Sequence, residues 1–135
     1  MPFNIDAALG IHPQALVLRA RRAEVLAANL ANSDTPNYKA RDLDFRAALT
    51  GAQAQRGDGT LSLASTDTAH LQADGAGLPG AALLYRMPSQ PSIDGNTVDS
   101  QVEYSQFAQN AIQYQASLTF LNSRIHTLMS AIRGD

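Results

Sequence analysis

The chain has 135 residues, ten Lys and Arg against twelve Asp and Glu, a formal net charge of −2 and no cysteine. That length holds one domain; the missing thiols exclude disulfides, cysteine-ligated zinc and thiol catalysis, and a slight acidic excess is the wrong sign for a non-specific nucleic-acid binder. Aromatic residues make up only 6% and Trp is absent, so the core is expected to be lean and the chain incomplete without partners.

The first ten residues contain no Lys or Arg and carry Asp6. They lack the basic start and the apolar stretch of a cleaved secretory signal. No apolar run approaches the length of a membrane span, so the chain is expected not to be membrane-spanning.

A helix is predicted from about residue 13 to residue 31, with Pro13 suited to its first turn. Leu9, Leu16, Ala20, Ala23, Ala27 and Leu30 recur at helical spacing. They form a seam whose small residues let another backbone come close. Val17, Leu18, Val25 and Leu26 lie off that seam. They are either spare surface for another chain or single exposed apolar residues. Arg19, Arg21 and Arg22 read as a solvated face or as inter-subunit ion pairs rather than nucleic-acid contacts.

The helix ends in an unusually dense turn, Asn29-Leu30-Ala31-Asn32-Ser33-Asp34-Thr35-Pro36-Asn37-Tyr38-Lys39. Asn32 is expected to take the left-handed conformation that closes a helix. Pro36 disfavours helix at Thr35. A plain stop needs one Asn or Gly, and this one uses far more. Beyond it, Asp42 and Asp44 read as turn and cap residues. Phe45 and Leu49 can pack as a pair four apart on a short helix.

Residues 50–96 hold seven of the nine glycines. Residues 60–65, with alternating Leu61 and Leu63, and residues 83–87 are weak strand signals. A small β-hairpin or an irregular loop is expected there. Gly75-Ala76-Gly77-Leu78-Pro79-Gly80 matches G-x-G-x-x-G, but no buried strand precedes it and Pro79 stands where the helix would start. His12, His70 and His126 are scattered and offer no pair at metal-binding spacing. The chain thus presents no catalytic set, no metal site and no cofactor.

The last zone is the most regular. Tyr104, Phe107, Ala111, Tyr114, Leu118, Leu121, Ile125, Leu128 and Ile132 alternate spacings of three and four, an unbroken heptad seam. Asp99 or Ser100 serves as N-cap, Ser100 and Glu103 fit a capping box, and Gly134 fits a C-terminal stop. One helix over residues 99–133 would be roughly 50 Å long. A compact globule of this size is only about 37 Å across. The predicted molecule is therefore mainly α and elongated. Its N-terminal and long C-terminal helices pack as a coiled-coil-like pair around an irregular or β-hairpin middle. It is a single domain of three zones: 1–49, 50–96 and 97–135.

Ala28-Asn29-Leu30-Ala31-Asn32 followed by Thr35-Pro36-Asn37-Tyr38-Lys39 resembles the N-terminal signature of the bacterial flagellar rod and hook axial proteins. Asn29, Asn32, Thr35, Pro36 and Tyr38 carry the likeness. The family usually has Gly where Asn37 stands, and Asn also tolerates positive φ. Residues 40–45 and 85–99 resemble the proximal-rod type within that family. The similarity runs from about Ala7 to Ile132.

The resemblance implies a non-enzymatic structural subunit of the flagellar basal body. Such subunits leave the cytoplasm through the flagellar type III export apparatus without a cleaved signal, and assemble helically into the rod that crosses the periplasmic space. The implied partners are other copies of the chain, the rod–membrane-ring adaptor protein and other proximal rod proteins. Phe45-Arg46-Ala47-Ala48-Leu49 resembles the Phe-x-x-x-hydrophobic element with which rod and hook subunits engage the export gate. Simple packing of Phe45 against Leu49 explains the pair equally well. A rival reading of the whole chain is a monomeric helical-hairpin adaptor or chaperone-like binding module.

Overall fold

A computed structural model of the chain describes residues 8–57, 82–88 and 92–134. Helix α1 is His12–Ala31, strand β1 Arg41–Leu43, helix α2 Phe45–Gly57, strand β2 Leu83–Tyr85 and helix α3 Ser100–Arg133. The architecture is mainly α, as expected, with α1 paired along α3 and a two-stranded sheet beside them.

Local chemistry sets the helix ends. Pro13 occupies the first turn of α1, where its missing N–H costs nothing. Gly10, at φ 64, turns the chain between Leu9 and α1, so Leu9 stands outside the continuous helix. Asp99 caps α3, its carboxylate accepting from the amides of Gln101 and Val102 at 3.0 and 3.3 Å. Gly134 ends α3 in the left-handed conformation at φ 78. The capping box does not form: Glu103 turns inward, only 1% exposed, and binds elsewhere. Asn32 closes α1 at φ −109; the left-handed residue of the turn is Asn37, at φ 60.

The two helices run antiparallel. The His12 ring lies 6.1 Å from that of Phe120 at one end, and Asn29 bonds Glu103 at the other. With 34 residues against 20, α3 is longer than α1 by roughly 20 Å. Its last three turns run past the start of α1.

The face that α3 turns to α1 is polar. Glu103, Asn110 and Ser117, seven apart, are its buried residues. On α1 the buried residues are Ala15, Leu18, Leu26 and Asn29. Leu18 and Leu26, off the expected seam, are wholly buried. The reason is that α1 serves two neighbours. One side meets α3, and the other covers β1 and α2, where Leu18, Leu43 and Ala48 form a small core flanked by Phe45 and Leu49.

The sheet differs from a local hairpin. β2 pairs antiparallel with β1, in the register Arg41–Tyr85, Asp42–Leu84 and Leu43–Leu83. Residues 60–65, His70 and the Gly75 to Gly80 motif lie outside the described residues. Helix α2 crosses the boundary that glycine content places near residue 50. Its N-terminus is capped by Asp44, whose side chain accepts from the Ala47 amide at 2.9 Å.

Candidate functional site

The signature turn is a polar knot tied to the segment before α3. Asn29, fully buried, donates from Nδ2 to the Arg41 carbonyl at 2.7 Å and to Glu103 at 3.1 Å, while its Oδ1 accepts from the Arg41 amide. The Tyr38 hydroxyl reaches the same Oδ1 at 3.4 Å. Asn32 donates to the Ala28 carbonyl and accepts from the Thr35 hydroxyl. Pro36 is exposed at the tip. Across from them, Asn96 donates to the carbonyls of Asn32, Ser33 and Thr35 at 3.0, 2.7 and 3.1 Å, and accepts from the Val98 amide. The Asn37 amide donates to the Asp94 carbonyl, and the Thr97 amide to that of Tyr38. Gly95 sits at φ 72, and a Cβ there would stand 2.6 Å from Asn37 Oδ1. Two segments about sixty residues apart thus close one joint between the ends of α1 and α3.

Beside the knot lies a charge network. Arg22 forks onto both Asp42 oxygens at 2.9 Å and onto Gln106 at 3.0 Å. Arg86 bridges Asp42, at 2.7 Å, and Glu103. Two cations and two anions join α1, β1, the end of β2 and α3. Asp42 is therefore an ion-pair centre rather than a turn residue, and Arg22 pairs within the chain. Arg19 bonds Gln113 and Ser117 of α3 and lies 4.3 Å over the Phe45 ring. These pairs, from 17 to 98 residues apart, leave no local trace in the sequence. The seven-residue recurrence of Glu103, Asn110 and Ser117 is a visible signal of the polar seam, one position beside the apolar one.

Burial pushes the Asp42 carboxyl up, but hydrogen bonds from Arg22, Arg86 and the Leu43 amide outweigh it and hold its pKa below the ordinary value near 3.8. A depressed carboxylate contributes stability that is complete above its unfolded pKa and lost as pH falls through the lower folded one. Asp42→Asn is expected to lower Tm at pH 7 and to flatten the fall of Tm between about pH 5 and pH 2. An acid limb as steep as that of the unsubstituted chain would contradict this role.

The apolar seams meet in an open groove. A space of about 330 Å³ is lined by Arg19, Ala20 and Ala23 of α1 and by Phe107, Asn110, Ala111 and Tyr114 of α3. Five of these belong to the seams expected from spacing. They flank one shared outward face instead of closing on each other. Leu16, Leu30, Leu118, Leu121 and Leu128 are half-buried, and Ala27 is exposed. Tyr104 is 65% exposed, Ile125 38% and Ile132 75%. Asn110 donates to the Arg19 carbonyl, and its buried Oδ1 has no donor among the described residues. Such an orphan costs about 1–3 kcal/mol.

Among the described residues no three metal-ligating side chains cluster, and no helix is long and apolar enough to cross a membrane. The arrangement offers interaction surface. Comparison with known proteins agrees with that character. Residues 9–39 match the family model of the flagella basal body rod protein. The chain is 49% identical to the flagellar basal body rod protein FlgB of Aeromonas hydrophila over 138 residues, covering 100% of this chain and 99% of that protein. It is 48% identical to the FlgB of Escherichia coli K12 over 96% of each chain. With the FlgB of Cereibacter sphaeroides it shares 50% identity over 94% of each. A knot built on the signature residues, exposed apolar seams and likeness along nearly its whole length agree: the chain belongs to the FlgB family of flagellar basal body rod proteins, structural and non-enzymatic components of the rod.

Proposed function

We propose that the chain is a subunit of the proximal rod, exported through the flagellar type III apparatus and assembled helically to link the membrane ring to the drive shaft. Its neighbours in this reading are other copies of itself, the rod–membrane-ring adaptor protein and other proximal rod proteins. The observation that carries the reading is the run of large exposed apolar side chains along α3, from Tyr104 to Ile132, on a chain of this family. A monomer gains nothing from such a surface, whereas a subunit buries it against neighbours. Cells lacking the chain are expected to be non-motile and to build no rod beyond the membrane ring, with both restored on re-expression. Complete rods in its absence would overturn the reading. A finished helical-hairpin module, the rival, would sediment as a monomer and be absent from isolated rods.

Export gives a second test. In the folded chain Phe45 and Leu49 flank the small core, and in an unfolded chain awaiting export they are free to engage the gate. Phe45→Ala is expected to stay in the cytoplasm, while Leu18→Ala, which damages the same core, is expected to be secreted. Equal secretion of the two would assign Phe45 and Leu49 to packing alone.

A further inference from the structure

We infer that the outer edge of β2 is a docking site for an extended segment of a different protein, which adds to the sheet as a third strand; setting aside a second copy as the donor rests on the rod-subunit reading above. The register and one bond fix which groups face outward. The Arg86 amide donates at 2.9 Å to the carbonyl of Ala40, which stands opposite it one step beyond the Arg41–Tyr85 pair. In an antiparallel ladder bonded and non-bonded pairs alternate, so Leu84 bonds Asp42, while Leu83 and Tyr85 do not bond β1. The N–H and C=O groups of Leu83 and Tyr85 therefore point away from the sheet, and no described residue bonds them.

The two edges of the sheet differ. On the outer edge of β1 the Asn29 side-chain amide donates to the Arg41 carbonyl and accepts from the Arg41 N–H, as a neighbouring strand would. The Leu43 amide on the same edge donates to the Asp42 carboxylate. β2 has none of the devices that blunt an edge: Leu83, Leu84 and Tyr85 include no Pro and no charge, and the register runs without a bulge. Their side chains are 40%, 53% and 69% exposed, and Met87 just beyond is 89% exposed. An apolar edge with unpaired backbone groups is a template for another strand.

The same groups say what covers it. Donors and acceptors in a row along an edge are matched by an extended backbone and not by a helix, whose own groups bond within it. Leu83 and Tyr85 share one face of the sheet, so the incoming strand carries apolar side chains two residues apart opposite them. Among the described residues of a second copy, the strand edge left open is β2 itself. Pairing two β2 edges is a two-fold contact that closes on itself, whereas like-oriented subunits in a helical assembly meet through unlike surfaces. This favours a donor of another sequence.

A benzophenone amino acid in place of Leu83 or of Tyr85 keeps the backbone and reports the neighbour. Basal bodies carrying either variant are isolated and irradiated, and the linked peptides are sequenced. Both probes are expected to link one short segment of a protein of different sequence, at sites two residues apart, because paired strands advance in step. Sites three or four apart, as on a helix, links to this chain itself, or no link in rods that hold the variant would overturn the inference and leave the rod reading intact. Rods of parent cells that lack the chain would overturn both. A second pair of variants tests the backbone. Leu83→Pro removes an outward N–H and spares the bonds to β1. Compared with Leu83→Ala, it is expected to keep Tm within about 2 °C. It is expected to enter rods about tenfold less, the effect of one lost backbone hydrogen bond. Equal entry of the two at equal Tm would overturn the inference. Where a benzophenone chain is not incorporated, the Pro and Ala variants decide, and where Leu83→Pro lowers Tm, the spacing of the linked sites decides.

Discussion

Arg86→Ala is expected to destabilise the folded chain by about 3 kcal/mol, a fall in Tm of about 10 °C for a chain of this length. Arg86 is held on two anions, Asp42 and Glu103. Glu103 is 1% exposed, so without Arg86 its charge stays out of water, keeping the Asn29 hydrogen bond and the field of Arg22 but losing its ion pair. Removing one partner of a buried pair costs more than the pair contributes, because the remaining charge keeps its desolvation penalty. Asp42 retains the Arg22 fork, which places the effect at the lower end of the range. The backbone is untouched, since the Arg86 amide still donates to the Ala40 carbonyl. The Arg86→Ala, Glu103→Ala double variant is expected to lose less than the sum of the two singles, since the second change removes the orphaned charge. A Tm within about 2 °C of the parent for Arg86→Ala would mean the network behaves as an exposed surface pair.

Asn96→Asp is expected to do at least as much damage at pH 7, roughly 3–5 kcal/mol. The Asn96 amide faces three carbonyl oxygens just past the end of α1. A carboxylate there offers no donor, and it adds a negative charge at the negative pole of the helix. Asp94, whose side chain already accepts from the Asn96 backbone N–H, brings a second carboxylate close. Asn96→Ala loses the bonds without adding the charge, and about 2 kcal/mol is expected. The two differ in pH dependence. The new carboxyl would have a raised folded pKa, so Asn96→Asp should regain stability as pH falls through that value, against the trend set by Asp42. Thermal melts of both variants across pH decide it. Equal loss and equal pH dependence would remove the three-carbonyl site from the account.

The sequence makes local features readable. Pro13, Asp99 and Gly134 act on backbone groups within one turn of themselves, so the start of α1 and both ends of α3 follow from residue chemistry alone. The apolar heptad from Tyr104 to Ile132 is equally plain, because periodicity records which side chains share a face. It does not record what that face meets. Glu103, Asn110 and Ser117 recur with the same period, and polar groups of α1 select that strip for the intramolecular contact. The apolar stripe is thereby left beside the groove. Pairing of β1 with β2 is hidden for another reason: three residues per strand carry no readable alternation, and the partners lie far apart in the chain, from Leu43 and Leu83 to Arg41 and Tyr85. Asn96 shows how far a site residue can stand from the motif it serves. The signature turn draws attention to Asn29, Asn32, Thr35, Pro36 and Tyr38, yet the side chain that ties its carbonyls together comes from the segment before α3. Asn37 takes the positive φ of the turn, a conformation Asn tolerates better than most residues with a side chain.

The claim that this chain builds rod is met most directly by a cryo-electron microscopy map of basal bodies from cells in which it is the sole subunit of its type. The account predicts helical density at the rod base into which copies of the long α3 helix fit. An intact rod base with no density for the chain would contradict it.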